Sequence, residues 1–504
     1  MSARAFLPLG NGGSAPLADV PCLQPASFRE AILTTPGARL VSLFGFPDGD
    51  AIRIVAILER PGDRNLLVTS TRAAEAFPSL TVEMPQAHLF EREIAETWGL
   101  TPEGHPWLKP VRFVPPRREP VGAVTAVPDA PRPGIMGYFA VEGEEVHEVA
   151  VGPVHAGVIE PGHFRFQCHG ERVIHLEISL GYQHRGIERA LEGGPDARTV
   201  HRVDAVAGDM SAGHAAAYAQ IVEALTDTAV PERGAALRAV ALELERMANH
   251  AGDLGALSGD IGYLPAAAFC GRIRGDLLNL TLAACGNRMG LGWVRPGGVA
   301  ADLSDEAAGG MAAGVDRAVA ELGRSFLLML KNSTARSRLE ETGALPRETC
   351  AALGMVGPAA RASGVAGDVR KDHPLGAYAT RSMPVAVRDT GDVFARAAVR
   401  SLECAHSAEY LAKLLRSLPA GPARAQVPAG GGANRIAVSL VEGWRGEICH
   451  VAVTDDGGRF RRYAIVDPSF HNWAGLAMAM RDQPVSDFPL CNKSFNLSYS
   501  GYDR

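Results

Sequence analysis

The chain has 504 residues, 46% hydrophobic and 21% charged, with a formal net charge of −6. That length exceeds one ordinary core and points to two or three domains, and the balance is that of a globular chain. The mild negative charge, with no basic stripe and no run of like charge, argues against nucleic acid or an anionic lipid surface as a direct partner.

In chain order, the first 28 residues lack the basic start and apolar core of a secretory signal. No stretch reaches the ~18–20 uninterrupted apolar residues of a spanning helix. The expectation is a cytoplasmic chain whose membrane contact comes through partners. Ala51 to Ser70 alternates short apolar runs with turns (IRIVAILE, NLLVTS), which predicts a small α+β domain over residues 1–113. Val114 to Gly134, VPPRREPVGAVTAVPDAPRPG, is rich in proline and unpatterned, so 114–134 reads as a linker that few contacts cross. In the body, 135–504, the pattern turns helical. Pro231 suits a first turn, and Leu237, Val240, Ala241, Leu244, Met247, Ala251 and Leu254 recur at helical spacing. Thr390 is the expected cap of another helix carrying Phe394, Ala398, Leu402 and Ala405. After a second break, Leu418 to Gly432, the runs IAVSLVEGW, ICHVAVTDDGG and RYAIVD read as strands with an Asp-Asp-Gly-Gly turn. The fold class is α+β: a small N-terminal α+β domain, then a mainly helical body with peripheral strands.

Eight scattered cysteines without a C-x-x-C pattern read as small buried hydrophobes, not as a cysteine-built metal or iron–sulfur site. The helix after Pro231 carries a second stripe, Glu243, Arg246, His250 and Asp253, at spacings of three and four. It is either a solvated face with weak ion pairs or a buried network between helices. His155, His163, His169, His175, His184 and His201 cluster within fewer than fifty residues, and histidine is the side chain best suited to moving protons near neutral pH. Arg202 to Tyr218, RVDAVAGDMSAGHAAAY, is rich in small residues, which composition alone reads as tight packing. Asp467, Ser469 and His471 follow a strand and offer oxygen and nitrogen donors, but their spacing alone does not make a metal site.

Certain segments resemble known families. His88 to Leu108, HLFEREIAETWGLTPEGHPWL, is similar to the signature of the C-type subunit of complex I. VGPVHAGVIEPGHFRF, ERVIHLEISLGYQHRGIER, LERMANHAGDLGALSGD and the closing VDPSFHNWAGLAMAMRDQPVSDFPLCNKSFNLSYSGYD resemble large subunits of nickel–iron hydrogenases and the D-type subunit of complex I. The likeness is to the membrane-bound, energy-converting, formate hydrogenlyase-like branch. Metal-bearing members carry R-x-C-G-x-C and D-P-C-x-x-C. Here those motifs read Arg202-Val203-Asp204-Ala205-Val206-Ala207 and Asp467-Pro468-Ser469-Phe470-His471-Asn472, so all four thiolate positions are replaced. Soft thiolates bind and bridge nickel and iron, and these residues do not. The resemblance therefore implies a chain that binds no metal and carries no hydrogen chemistry on that centre.

The rest of the motif shell remains. By resemblance, Glu160 matches the proton-relaying glutamate of E-G-H, Arg445 the arginine over the metals, and His450 the histidine that follows it. With Asp204 and Asp467, Glu160 and Arg445 form the candidate catalytic set, expected to converge on one cavity. His163, His184 and Arg202 are candidates for holding a quinone headgroup or substrate, although Ala205 stands where complex I has a quinone-binding tyrosine. The implied role is a core subunit of a membrane-associated redox complex, at the inner face of the cell membrane, supporting electron transfer and proton coupling. Its implied partners are a small iron–sulfur subunit resembling the B-type subunit of complex I, which would hold the clusters, and membrane ion-translocating subunits. A non-catalytic adaptor and a quinone-reducing subunit are the alternatives.

Overall fold

A computed structural model describes residues 5–118, 132–155 and 159–504. The N-terminal region contains β1 (Leu7–Gly10), β2 (Gly13–Pro16), α1 (Pro25–Leu33), β3 (Arg39–Asp48), β4 (Ala51–Glu59), β5 (Asn65–Ala73) and α2 (His88–Trp98). The run AIRIVAILE forms β4, and Ile52 through Leu58 are buried throughout. A strand with no wet face needs cover on both sides. Here α1 and α2 pack on the sheet, whose order is β1-β5-β4-β3.

The body begins with a three-stranded sheet of β6 (Val146–Val151), β7 (His163–His169) and β8 (Arg172–Ser179). Short helices α3 (Ile187–Leu191) and α4 (Thr199–Asp204) lead into the long ones: α5 (Ser211–Thr226), α6 (Glu232–Asp260), α7 (Leu264–Cys285), α8 (Asp305–Lys331) and α9 (Val393–Leu415). Strands β9 (Arg435–Gly443), β10 (Gly446–Thr454) and β11 (Phe460–Val466) follow, then α10 (Pro468–Ala479), α11 (Phe488–Phe495) and α12 (Tyr499–Asp503). Pro231 precedes α6 as its N-cap. The cap of α9 is Asp392, which accepts from the Ala395 N–H, whereas the expected Thr390 only donates its hydroxyl to Asp392 at 2.9 Å. A carboxylate is the stronger acceptor for a helix N-terminus.

The two regions share a sheet. β2 pairs antiparallel with β9, giving the order β11-β10-β9-β2, with Ala15 opposite Ile436. Further ties are the Arg39–Glu447 ion pair at 2.6 Å, His373–Glu59 at 3.1 Å and the bond from Arg112 to the Tyr502 carbonyl at 3.1 Å. The expectation of few contacts is thus corrected: the interface is a strand pairing reinforced by buried charges. The middle of the linker, 119–131, lies outside the described residues.

The polar stripe of α6 is the buried network. Glu243, Arg246 and His250 are fully buried and Asp253 nearly so. Arg246 contacts Glu243 at 3.1 Å and donates to the carbonyls of Glu442 and Gly443. Glu403 on α9 takes His250 at 2.8 Å and Arg361 at 2.7 Å, and Arg361 continues to Glu442 at 2.8 Å. This network fixes the β9–β10 turn to the helix bundle.

Candidate functional site

Gly443 pairs with Gly446 across the β9–β10 turn, so Trp444 and Arg445 form its tip. Gly446 has φ +133°, and a Cβ there would come within 2.8 Å of Gly357, so only glycine fits. Arg445 is buried and forks onto Asp209, each terminal nitrogen 2.7 Å from a carboxylate oxygen. Its guanidinium lies 3.9 Å from the Trp444 ring centre, and Nε donates to the Asn496 carbonyl at 2.5 Å. Burial works against its charge, but Asp209 overcomes this and raises its pKa.

Asp467 follows β11 and caps α10, with Oδ1 accepting the Ser469 N–H at 2.8 Å. Its Oδ2 lies 3.1 Å from Nε2 of His214 on α5. His214 Nδ1 is 3.0 Å from Nε2 of His450 on β10, and His450 Nδ1 is 2.9 Å from the hydroxyl of Tyr463 on β11. All four side chains are fully buried. Burial opposes ionisation of Asp467, yet His214, Arg445 and the cap hold its pKa below the usual range. Burial, then His214, pushes the His450 imidazole far below its ordinary value, and burial pushes the Tyr463 phenol far above.

Glu160 accepts the Tyr499 N–H at 3.3 Å. One residue earlier, Ser498 donates its N–H to Ser469 Oγ at 2.9 Å, and its own hydroxyl caps α12. A Cβ at Gly501 would fall 2.5 Å from Asp467 Oδ2. Segment 496–501 is therefore where Arg445, Asp467 and Glu160 converge. Asp204 does not join them. It ends α4 with Oδ2 accepting the Gly292 N–H at 3.1 Å, while Oδ1 is buried without a partner. Burial lifts its pKa to about 6 against the pull of Arg295. The fourfold convergence expected from the motifs is a threefold one, because the turn after α4 aims this carboxylate at 292–295.

The three headgroup candidates bond to separate segments. His163 Nδ1 is 3.2 Å from the Gly152 carbonyl, His184 Nδ1 is 2.7 Å from the Asp503 carbonyl, and Arg202 donates to the Ala190 carbonyl at 2.7 Å. Of the three, His184 lines a cavity of about 360 Å³, beside Arg112, Arg185, Glu188, Arg462 and Arg504. Larger cavities of about 450 and 500 Å³ lie elsewhere, against Tyr378 and Arg370 and between α2 and β8.

The four positions of the thiolate motifs are taken up internally. Asp204 is held as described, Ala207 packs in an apolar cluster, and Ser469 Oγ accepts from Ser498. Asn472 clasps the Val356 backbone, accepting its N–H at 3.0 Å and donating to its carbonyl at 3.1 Å. Among the described residues no group of three His, Cys, Asp or Glu side chains is arranged to hold a metal ion. These residues do not fit a nickel–iron centre.

Sequence reasoning missed His214, Asp209 and Glu245. The last caps α5, whose own N-cap offers no side chain, by accepting the N–H groups of Ala212 at 2.7 Å and Gly213 at 3.2 Å. Burial lifts its pKa to about 8. A signal for His214 existed: a lone imidazole in the alanine-rich, buried first half of a helix needs a polar partner.

A long-helix bundle bearing a strand hairpin, with a buried arginine at the hairpin tip over an aspartate-capped C-terminal helix, defines the class of large redox subunits. Residues 260–436 match the family model for the 49 Kd subunit of respiratory-chain NADH dehydrogenase, and 35–118 match that for its 30 Kd subunit. The chain is 30% identical to the carbon monoxide-induced hydrogenase of Rhodospirillum rubrum, over 71% of this chain and 99% of that protein. It is 30% identical to formate hydrogenlyase subunit 5 of Escherichia coli (strain K12), over 85% and 77%. It is also 30% identical to the D-type subunit of the NADH-quinone oxidoreductase of Clostridium beijerinckii, over 64% and 87%. A solved structure of the membrane-bound sulfane sulfur reductase, an archaeal respiratory membrane complex, superposes with TM-score 0.66 at 25% identity, over 73% of this chain and all of that one. The chain belongs to the family of hydrogenase large subunits and complex I 49 Kd subunits, with a fused region like the 30 Kd subunit. No helix among the described residues is long and apolar enough to cross a membrane.

Proposed function

We propose that this chain is a core subunit of a membrane-associated redox complex that works without a nickel–iron centre. It supports electron transfer through clusters held by a small iron–sulfur partner, and it couples that transfer to proton movement beside membrane ion-translocating subunits at the inner face of the membrane. The observation that carries this reading is the pairing of two facts at one place. Two thiolate positions hold the internally bonded Ser469 and Asn472, whereas the charged groups around them stay engaged: buried Arg445 on the partly exposed Asp209, and buried Asp467 on buried His214. A cavity relieved of its metal would shed unneeded buried charge, because such pairs are often no more stabilising than apolar packing.

In this reading Arg445 fixes positive charge at the hairpin tip, Asp467 holds His214, and Glu160 is the proton-handling carboxylate at the edge of segment 496–501. Glu160→Gln keeps the acceptor for the Tyr499 N–H and removes the titratable group. In the purified complex this variant should assemble normally and turn over about 10²-fold more slowly, the usual scale of a general acid–base contribution. Normal turnover of both Glu160→Gln and Arg445→Met complexes would replace this reading with that of a structural adaptor.

A further inference from the structure

We propose that Asp467, His214, His450 and Tyr463 form one buried proton-accepting site, which takes up a single proton and reverses the direction of its hydrogen bonds in doing so. The role given to it in turnover rests on the function proposed above; the site itself rests on geometry.

The three links of 3.1, 3.0 and 2.9 Å join four side chains with no access to solvent. An ionised carboxylate only accepts, so the proton between Asp467 and His214 belongs to His214 Nε2. A neutral His214 then presents Nδ1 as an acceptor, which requires His450 to donate from Nε2. His450 Nδ1 is left to accept from the Tyr463 hydroxyl. With Asp467 ionised, only this proton arrangement satisfies every link with both imidazoles neutral.

With Asp467 kept ionised, the four-residue row takes up its one added proton as follows. A proton arriving at the Tyr463 oxygen forms an O–H bond there as the original O–H breaks and its proton forms N–H at His450 Nδ1. The His450 Nε2–H bond breaks and its proton forms N–H at His214 Nδ1. Three bonds form, two break, and the net change is one added proton. The product is a His214 imidazolium against ionised Asp467, with His450 now donating to Tyr463. Tyr463 faces Tyr218, ring centres 6.5 Å apart, and Tyr218 lies beside Thr199, which bonds the half-exposed Asp196 at 3.0 Å.

The surrounding charges set the balance. His214 and Arg445 both favour the ionised form of Asp467. Glu245 on α6 bonds the backbone of Gly213, next to His214. Glu188 on α3 and Arg504 face His450 with opposite signs. Negative charge arriving at the Arg445–Asp209 surface shifts this balance toward uptake, which is how the site would serve proton-coupled electron transfer. A purely structural network would need the hydrogen bonds and not the second proton.

The test is nitrogen NMR of the full chain with ring-15N-labelled histidine, using His214→Gln and Tyr463→Phe for assignment. Near neutral pH both imidazoles should be neutral and protonated at Nε2. On acidification His214 should gain Nδ1–H in the same step in which His450 moves its proton from Nε2 to Nδ1. His450 keeping Nε2–H while His214 charges, or neither ring changing before the chain unfolds, overturns the proposal. In the assembled complex His214→Gln should lower turnover at least ten-fold. Absence of the tautomer switch with a slow Glu160→Gln complex overturns this inference and leaves the proposed function standing. A clear switch with normally running Glu160→Gln and Arg445→Met complexes supports the site and removes that function.

Discussion

Replacing Arg361 with Met tests whether the buried network holds the hairpin that carries Arg445. Arg361 is fully buried and donates to Glu403 at 3.0 and 2.7 Å, to Glu442 at 2.8 Å and to the Gly367 carbonyl at 2.8 Å. Methionine fills similar space without a donor. Glu403 keeps His250, with Arg246 3.6 Å away, and Glu442 keeps the Val369 N–H at 3.0 Å, so neither carboxylate is stripped bare. Removing one partner of a buried ion pair costs about 3–5 kcal/mol, and the remaining bonds place this case near 3. Urea unfolding followed by tryptophan fluorescence should report the loss, since Trp444 packs edge-on to His250. Burial opposes ionisation of Glu403, but Arg361 and His250 hold its pKa well below 4.5. Its contribution is therefore present above roughly pH 4.5 and is lost as pH falls through the lower folded value, so the gap between the two proteins should narrow in acid. The double variant with Glu403→Gln should recover part of the loss. A single-variant cost under about 1 kcal/mol, or a gap that widens in acid, would refute the reasoning.

Asp204, raised to about 6, binds its proton more tightly folded than unfolded, so native stability falls as pH rises from roughly 4 to 6. Asp204→Asn should remove that slope and stabilise the chain by about 2 kcal/mol at pH 7, measured by denaturant titration. Limited proteolysis should cut within the proline-rich segment Val114 to Gly134, yet the two fragments should elute together under native conditions, because β2 and β9 share a sheet. Fragments that separate would contradict the pairing. Metal analysis of the purified subunit should find no stoichiometric nickel, and one nickel per chain with thiolate coordination would overturn the reading of the replaced motifs.

The helices and the C-terminal strands were legible because their apolar periodicity is local. The stripe from Glu243 to Asp253 was visible too, but spacing cannot tell a wet face from a buried one. Burial is decided by Glu403 and Arg361 on distant segments. Motif order placed Glu160, Arg445 and Asp467 together. It failed for Asp204, because the direction of a side chain after a helix end depends on the next turn. His214 was hidden by its neighbours: composition reads the alanines and passes over the imidazole they enclose. The pairing of Ser14 with Ala437 had no local signal at all, since the GSAP of β2 has little strand propensity.

That pairing also sets an order of events in the making of the protein. Ser14 and Arg435, which share hydrogen bonds, stand 421 residues apart, so the ribosome finishes β9 long after β2 has emerged. Until then β2 has an unpaired edge, and the region over residues 5–118 can form its own sheet without this anchor. Closure of this loop waits until β9 has emerged, and such long-range pairing is slow while exposed edges invite wrong partners. The same hairpin that completes the sheet also brings Arg445 and His450 into place. One long-range pairing therefore both joins the two regions and places Arg445 and His450.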